Sequence, residues 1–156
     1  MAGRFLTVSY YKKDYESCRK YYSSVMIGNL CIIVILFIPA VYCIIKLEEI
    51  INFETAIISH VKILFGLVFA NFFVAQINSV FAIVFYVKNS QYIQNVVNMI
   101  KMVLNACGLL FLFSVFIPKI YYVSLVGFIL TCLTMLVFIV CKRKLLPEIT
   151  FDITDF

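Results

Sequence analysis

Long apolar runs constrain the fold of this chain more than any other feature of its sequence. Four such runs cover about residues 25–45, 63–87, 103–117 and 120–141. A membrane-spanning helix needs about 20 predominantly apolar residues. Of the 156 residues, 64% are hydrophobic and only 13% are charged, too few to give a soluble domain of this size a polar surface. The sequence therefore predicts an all-α membrane protein without a separate soluble domain.

The polar segments divide the chain around these runs. Residues 1–22 are predicted to be a cytoplasmic amino-terminal segment, 23–141 the transmembrane domain with its four spans, and 142–156 a cytoplasmic tail. Residues 46–62 carry charge and keep a roughly helical apolar spacing, which indicates either an interfacial helix or an outward extension of the second span. Only Pro118 and Lys119 separate the third and fourth runs, and so short a connection favours an antiparallel pair.

The basic residues predict the orientation. Of the 13 lysines and arginines, only Lys46, Lys62 and Lys119 fall on one side of a four-span arrangement. The other ten fall on the side that holds both chain ends: Arg4, Lys12, Lys13, Arg19, Lys20, Lys88, Lys101, Lys142, Arg143 and Lys144. By the positive-inside rule, the chain is an antiparallel four-helix transmembrane bundle with both termini in the cytoplasm. The alternative joins the last two runs into one broken helix, and it would place the basic tail outside.

The segment before the third run is amphipathic. One face carries Ile93, Val96, Val97 and Ile100, and the opposite face carries Gln91, Gln94, Asn95 and Asn98. The segment is either part of the second loop or the start of the third span. In the second case, Lys101 is expected to extend its ammonium group toward the membrane surface.

Polar side chains within the spans are costly in lipid unless they are paired. They form stripes at helical spacing: Asn71, Ala75, Asn78, Ser79 and Ala82; Gln94, Asn98, Lys101, Asn105 and Gly108; Ser124, Gly127, Thr131 and Thr134. By depth, Asn29, Asn78, Asn105 and Thr134 are predicted to form one polar layer in the cytoplasmic half of the bundle. Helix packing is the favoured role, and a pore lining, a small-ligand site or contact with a partner's helix are the alternatives.

The sequence argues against enzymatic chemistry. It has one histidine, His60, and no aspartate or glutamate within a predicted span, so we expect no catalytic residues, no metal site and no cofactor. The basic residues lie beside apolar runs and form no continuous face, so we expect the lipid bilayer, and not nucleic acid, as their partner. The six cysteines do not predict a disulfide framework. Cys18 and Cys141 lie next to the cytoplasmic surface, where lipidation occurs, and unmodified thiols are the alternative.

The last residues carry a candidate partner motif. Apolar and polar residues alternate from Ile149 to Thr154, and the chain ends Thr154-Asp155-Phe156. A hydroxyl two positions before an apolar carboxy-terminus resembles a ligand of PDZ domains. This resemblance implies strand addition to a cytoplasmic adaptor, which would hold the terminal carboxylate with backbone N–H groups. A disordered tail or an export address is the alternative.

Together these features predict a non-enzymatic, multi-pass integral membrane protein that acts through protein partners, as an accessory subunit or as a trafficking or scaffolding component. The alternative is a small channel or transporter subunit that forms a homo-oligomer around its polar stripes. The sequence does not distinguish the plasma membrane from an endomembrane.

Overall fold

A computed structural model describes residues 2–50 and 55–145, which form helices and no strands. The helices are α1 (Ala2–Tyr11), α2 (Tyr15–Ile45), α3 (Leu47–Ile50), α4 (Thr55–Val87), α5 (Gln91–Val115) and α6 (Tyr122–Leu145). Four of them, α2, α4, α5 and α6, are long and apolar enough to cross a membrane. The described part of the chain thus has the composition of a multi-pass membrane protein.

A short turn separates α1 from α2. Lys13 adopts a left-handed backbone conformation with φ 60°, and Asp14 caps the new helix by accepting a hydrogen bond of 3.1 Å from the Ser17 backbone N–H. A carboxylate at this position satisfies one of the amide groups that the first helical turn leaves unpaired. The hydrogen bonds from Ser17 hold the pKa of Asp14 below its ordinary value of 3.8.

Helix α4 is the centre of the fold. It packs against α1, α2, α5 and α6, whereas α5 packs mainly against α6. Aromatic pairs mark the contacts of α4. Phe73 lies against Phe37 of α2, with ring centroids 5.9 Å apart, and Phe85 lies edge-on to Phe138 of α6 at 4.9 Å. Helix α5 therefore lies at the periphery of the bundle.

One end of the bundle, here called the basic end, gathers α1, the start of α2, the α4–α5 connection and the end of α6. Lys88 donates a hydrogen bond to the Tyr10 hydroxyl, and the Lys142 ammonium lies 4.5 Å from the centre of the Tyr22 ring. Helices α1, α2 and α4 contribute an apolar cluster at this end: Leu6, Cys18, Tyr22, Val80, Val84 and Val87. Helix α1 is thus packed onto the bundle.

The opposite end, here called the distal end, carries the connection from α2 to α4 and the start of α6. Lys62 pairs with Glu48 at 2.6 Å, and Lys46 pairs with Glu49. The His60 ring lies 5.6 Å from the Tyr121 ring. The Lys62–Glu48 pair links α4 to α3, whereas the Lys46–Glu49 pair joins neighbouring residues at the end of α2 and in α3.

The helix bounds differ from the predicted spans in three places. Helix α1 and the first turns of α2 lie within the segment predicted to be polar and cytoplasmic. Helix α4 extends the second span outward to Thr55, one of the two structures expected for that segment. Helix α5 begins at Gln91, before the predicted span at about 103, so the amphipathic segment belongs to the start of this helix, one of the two structures expected for it. The third and fourth runs form separate helices, so the described chain has four candidate spans and not three.

Candidate interhelical polar site

Lys101 lies inside a continuous helix and contacts the neighbouring helix. Its ammonium donates a hydrogen bond of 2.9 Å to the Thr131 hydroxyl, which in turn donates one of 2.8 Å to the Gly127 carbonyl. The Thr131 side chain is buried. The predicted extension of Lys101 toward the membrane surface is therefore not what the structure shows. The ammonium is held against α6 because a hydroxyl acceptor lies within its reach.

Small residues allow the three helices around this contact to approach closely. A Cβ atom added at Gly108 of α5 would lie 3.1 Å from Val126 Cγ1 of α6. A Cβ added at Gly127 would lie 4.0 Å from the Asn71 amide nitrogen of α4. Small residues at helix contacts are a general feature of packing in membranes. We call the group formed by Asn71, Lys101, Gly127 and Thr131 the polar site.

Several amide oxygens near this site lack a donor. The carboxamide oxygens of Asn71, Asn78 and Asn105 are buried and have no hydrogen-bond partner within residues 2–50 and 55–145. An unpaired polar atom away from water costs free energy comparable to a lost hydrogen bond. These oxygens are therefore available to a donor that the described chain does not supply.

Two members of the predicted polar layer lie at one level. Helices α4 and α6 touch at Asn71 and Gly127 and again at Phe85 and Phe138, so residue numbers rise together along both helices. Asn78 and Thr134 each lie seven residues beyond the first contact. At about 1.5 Å per residue, both are about 10 Å further along the bundle. The Thr134 hydroxyl donates to the Leu130 carbonyl at 2.8 Å, within its own helix.

The other two members lie on α5 and α2. Asn105 falls between the two α5–α6 contacts, Gly108 to Val126 and Lys101 to Thr131. It is therefore closer to the level of Gly127 than to that of Thr134. Asn29 is half-buried on α2, whose main partner among the long helices is α4. The structure gives no hydrogen bond between any two of the four predicted residues, all of which lie in the described ranges, and a shared packing role stays a prediction.

The charge at the polar site has no opposite charge near it in the chain. The sequence contains no aspartate or glutamate from residue 17 to 47 or from 55 to 145. Across the described ranges there is also no cluster of three or more histidine, cysteine, aspartate or glutamate side chains that could hold a metal ion. Lys101 thus donates to a neutral hydroxyl, and the polar site contains no acidic side chain.

Helix α5 combines the least burial with the most amides. It has no buried residue, whereas α2, α4 and α6 each contribute buried side chains to the core. It carries five asparagines and glutamines, against three on α4, one on α2 and none on α6. Gln91, Asn95 and Asn98 are exposed. Their side chains lie beside Lys101 on one flank of α5, here called the amide flank.

The two cysteines predicted as lipidation sites have different environments. Cys18 is fully buried, and its thiol lies 3.6 Å from the Leu6 carbonyl oxygen, to which it donates. An acyl chain could not be attached there unless α1 moved away, so the packing argues against lipidation at Cys18. Cys141 is half-buried near the end of α6, and its lipidation stays a prediction. The tail residues Thr154, Asp155 and Phe156 lie outside the described residues.

The polar stripes of the sequence contain the signal for this site, but not its pairing. The stripes on α5 and α6 include Lys101 and Thr131, yet no spacing rule shows which residues of two helices will meet.

Comparison with protein-family models, with curated proteins and with solved structures finds no match to this chain.

Proposed function

We propose that this chain is a non-enzymatic, multi-pass membrane protein that acts through protein partners, as an accessory subunit or as a trafficking or scaffolding component. The observation that carries the proposal is the amide flank of α5. An exposed carboxamide inside a candidate span, such as Asn98 about 10 Å from the start of α5, favours association with another helix, because lipid offers it no hydrogen-bond partner. A helix that has the most amides and the least burial is the one expected to receive a partner.

The proposal includes an antiparallel bundle with both termini in the cytoplasm. Two observations support opposite directions for α5 and α6: Gly108 approaches Val126, and Lys101, earlier in α5, contacts Thr131, later in α6. The basic end supports the orientation. It contains α1, the α4–α5 connection and the end of α6, whose last turn carries Lys142, Arg143 and Lys144. Basic residues beside spans remain on the cytoplasmic side.

Site-specific crosslinking tests the partner proposal. A photoreactive phenylalanine analogue at Asn98, on the amide flank, is expected to give a discrete protein adduct in native membranes. The matched control is Ile35 on α2, which is also exposed but lies on an apolar surface. An adduct at Asn98 that is absent at Ile35 supports the proposal. Adducts with lipid alone at both positions would contradict it.

The carboxamides along the helix contacts favour a second candidate, a small oligomeric channel or transporter subunit. Their N–H groups are donors that can replace the water around a permeating anion. The Lys101 ammonium would make such a pathway select anions over cations, since a positive ring repels cations. Purified protein in vesicles would then conduct halide, and Lys101→Met would abolish the flux. If the purified protein conducts no ion, the channel candidate is wrong and the accessory role remains the proposal.

A further inference from the structure

The charge of Lys101 has no opposite charge beside it in the described bundle. Lys101 lies ten residues from Gln91 and fourteen from Val115 along α5. At about 1.5 Å per residue, its Cα is about 15 Å from one end of the helix and about 21 Å from the other. A charged side chain at this depth is costly unless it pairs with an opposite charge or reaches water. Its acceptor here is the uncharged Thr131 hydroxyl.

Lys101 is also open to a neighbour. Its side chain is only half-buried, and the exposed Asn98 lies three residues before it on the same flank. The exposed Asn95 lies one turn further toward the basic end. A second transmembrane helix that packs on this flank would therefore meet two carboxamides and then the ammonium in succession.

A second copy of this chain does not complete this surface. Residues 17–47 and 55–145 contain no carboxylate side chain, so another copy would bring a second lysine and no countercharge. Like charges in contact repel, and the cost rises in a medium of low dielectric constant. Charge complementarity therefore selects a different protein as the occupant.

We propose that the amide flank is a docking surface for a partner transmembrane helix that carries an aspartate or glutamate at the depth of Lys101. This inference rests on the proposed function and names the chemistry of its partner. The carboxylate accepts from the Lys101 ammonium, and polar side chains of the same helix meet Asn95 and Asn98. The hydrogen bond to Thr131 holds the ammonium in place until the partner arrives.

A designed helix serves as the probe. The full chain is reconstituted in phosphatidylcholine vesicles with a synthetic host helix of about 20 leucines, which carries one aspartate near its middle. Association is measured by energy transfer between labels on the two molecules. The aspartate host is expected to bind about tenfold more tightly than an all-leucine host, since one interhelical polar contact contributes about 1–2 kcal/mol.

Variants assign the effect to Lys101. Lys101→Met is expected to remove the preference for the aspartate host, and Lys101→Arg to retain it because the charge remains. Lys144→Met, which removes an exposed charge at the basic end, should leave the preference unchanged. Circular dichroism verifies that each variant keeps its helix content. Equal binding of the two hosts, or a preference that survives Lys101→Met, would overturn the inference.

Lipid is the competing source of negative charge, and the same assay distinguishes it. In vesicles that include phosphatidylglycerol, the preference for the aspartate host should persist. Its loss would assign Lys101 to a lipid phosphate and overturn the proposal.

The crosslinking experiment at Asn98 distinguishes a failure of this inference from a failure of the proposed function. An adduct that forms equally with Lys101→Met contradicts this inference alone, whereas the absence of any protein adduct contradicts the proposed function.

Discussion

Removal of the Leu6 side chain is expected to release α1 from the bundle and expose Cys18. Leu6 is 1% exposed and packs with Cys18, Tyr22 and three valines of α4. Truncation of a buried leucine to alanine costs about 2–5 kcal/mol. The lower value is appropriate here, because a helix of ten residues can resettle on the bundle. A change of about 2 kcal/mol shifts the docking equilibrium about thirtyfold toward the open state.

The Cys18 thiol reports this equilibrium directly. In a variant that retains Cys18 and has its other five cysteines replaced, Leu6→Ala should raise the rate of maleimide labelling about thirtyfold, in step with the docking equilibrium. Val8→Ala is the matched control, because Val8 lies on the same helix but is 50% exposed. Its labelling rate should stay near that of the parent. Rapid labelling of the parent protein, or no acceleration by Leu6→Ala, would refute the docked position of α1.

Three further substitutions test the bundle. Gly108→Leu should lower the free energy of unfolding in detergent by about 1–3 kcal/mol, because the added side chain overpacks against Val126. Gly66→Leu should not lower it, since an added Cβ at Gly66 meets nothing within 4 Å. Equal effects of the two substitutions would contradict the close approach of Gly108 to Val126. Thr131→Val removes the acceptor of Lys101 and should lower that free energy by about 1 kcal/mol. Asn78→Leu, which removes an oxygen that has no donor among the described residues, should lower it less; the reverse order would contradict the assigned contacts. Because the pKa of Asp14 is lowered in the folded chain, its stabilising effect is complete above its ordinary value of 3.8 and is lost as the pH falls through the lower, folded value. Thermal melts of the parent should therefore lose stability in that acid range relative to Asp14→Asn, and parallel pH profiles would show that the cap contributes nothing.

The number of spans could be predicted from the sequence, because a membrane helix must satisfy its backbone internally and be apolar over a fixed length. The sequence leaves two alternatives for the start of α5, because Lys101 is also compatible with the end of a span. The hydrogen bond to Thr131 offsets part of the cost of its burial, and a single sequence does not reveal such a contact between helices.

Helix α1 was missed for a different reason. Its residues are mixed, with basic and aromatic side chains among apolar ones, a composition that predicts a polar segment. The signal was present: Leu6 and Tyr10 lie four residues apart, and Cys18 and Tyr22 repeat that spacing on the next helix. All four side chains belong to the apolar cluster or pack against it. Their role depends on the surface of α4, which only the fold brings beside them.

The polar layer of Asn29, Asn78, Asn105 and Thr134 stays a prediction. Depth along single helices places the four residues at comparable levels, and Asn78 and Thr134 are equally far from the contact of α4 with α6 at Asn71 and Gly127. Depth does not show which side chains of two helices meet, such as Gly108 and Val126. Pairing between helices depends on side-chain shape, which depth along one helix does not contain.

The orientation in the membrane is the central claim, and labelling from outside the cell tests it most directly. A single cysteine is introduced at position 52, in the predicted outer loop, or at position 90, in the α4–α5 connection, in a chain without other cysteines. In intact cells, a membrane-impermeant maleimide is expected to label position 52 and not position 90. Position 90 should react only after permeabilisation. Equal labelling of the two positions in intact cells, or labelling of position 90 alone, would contradict a four-span bundle with both ends in the cytoplasm.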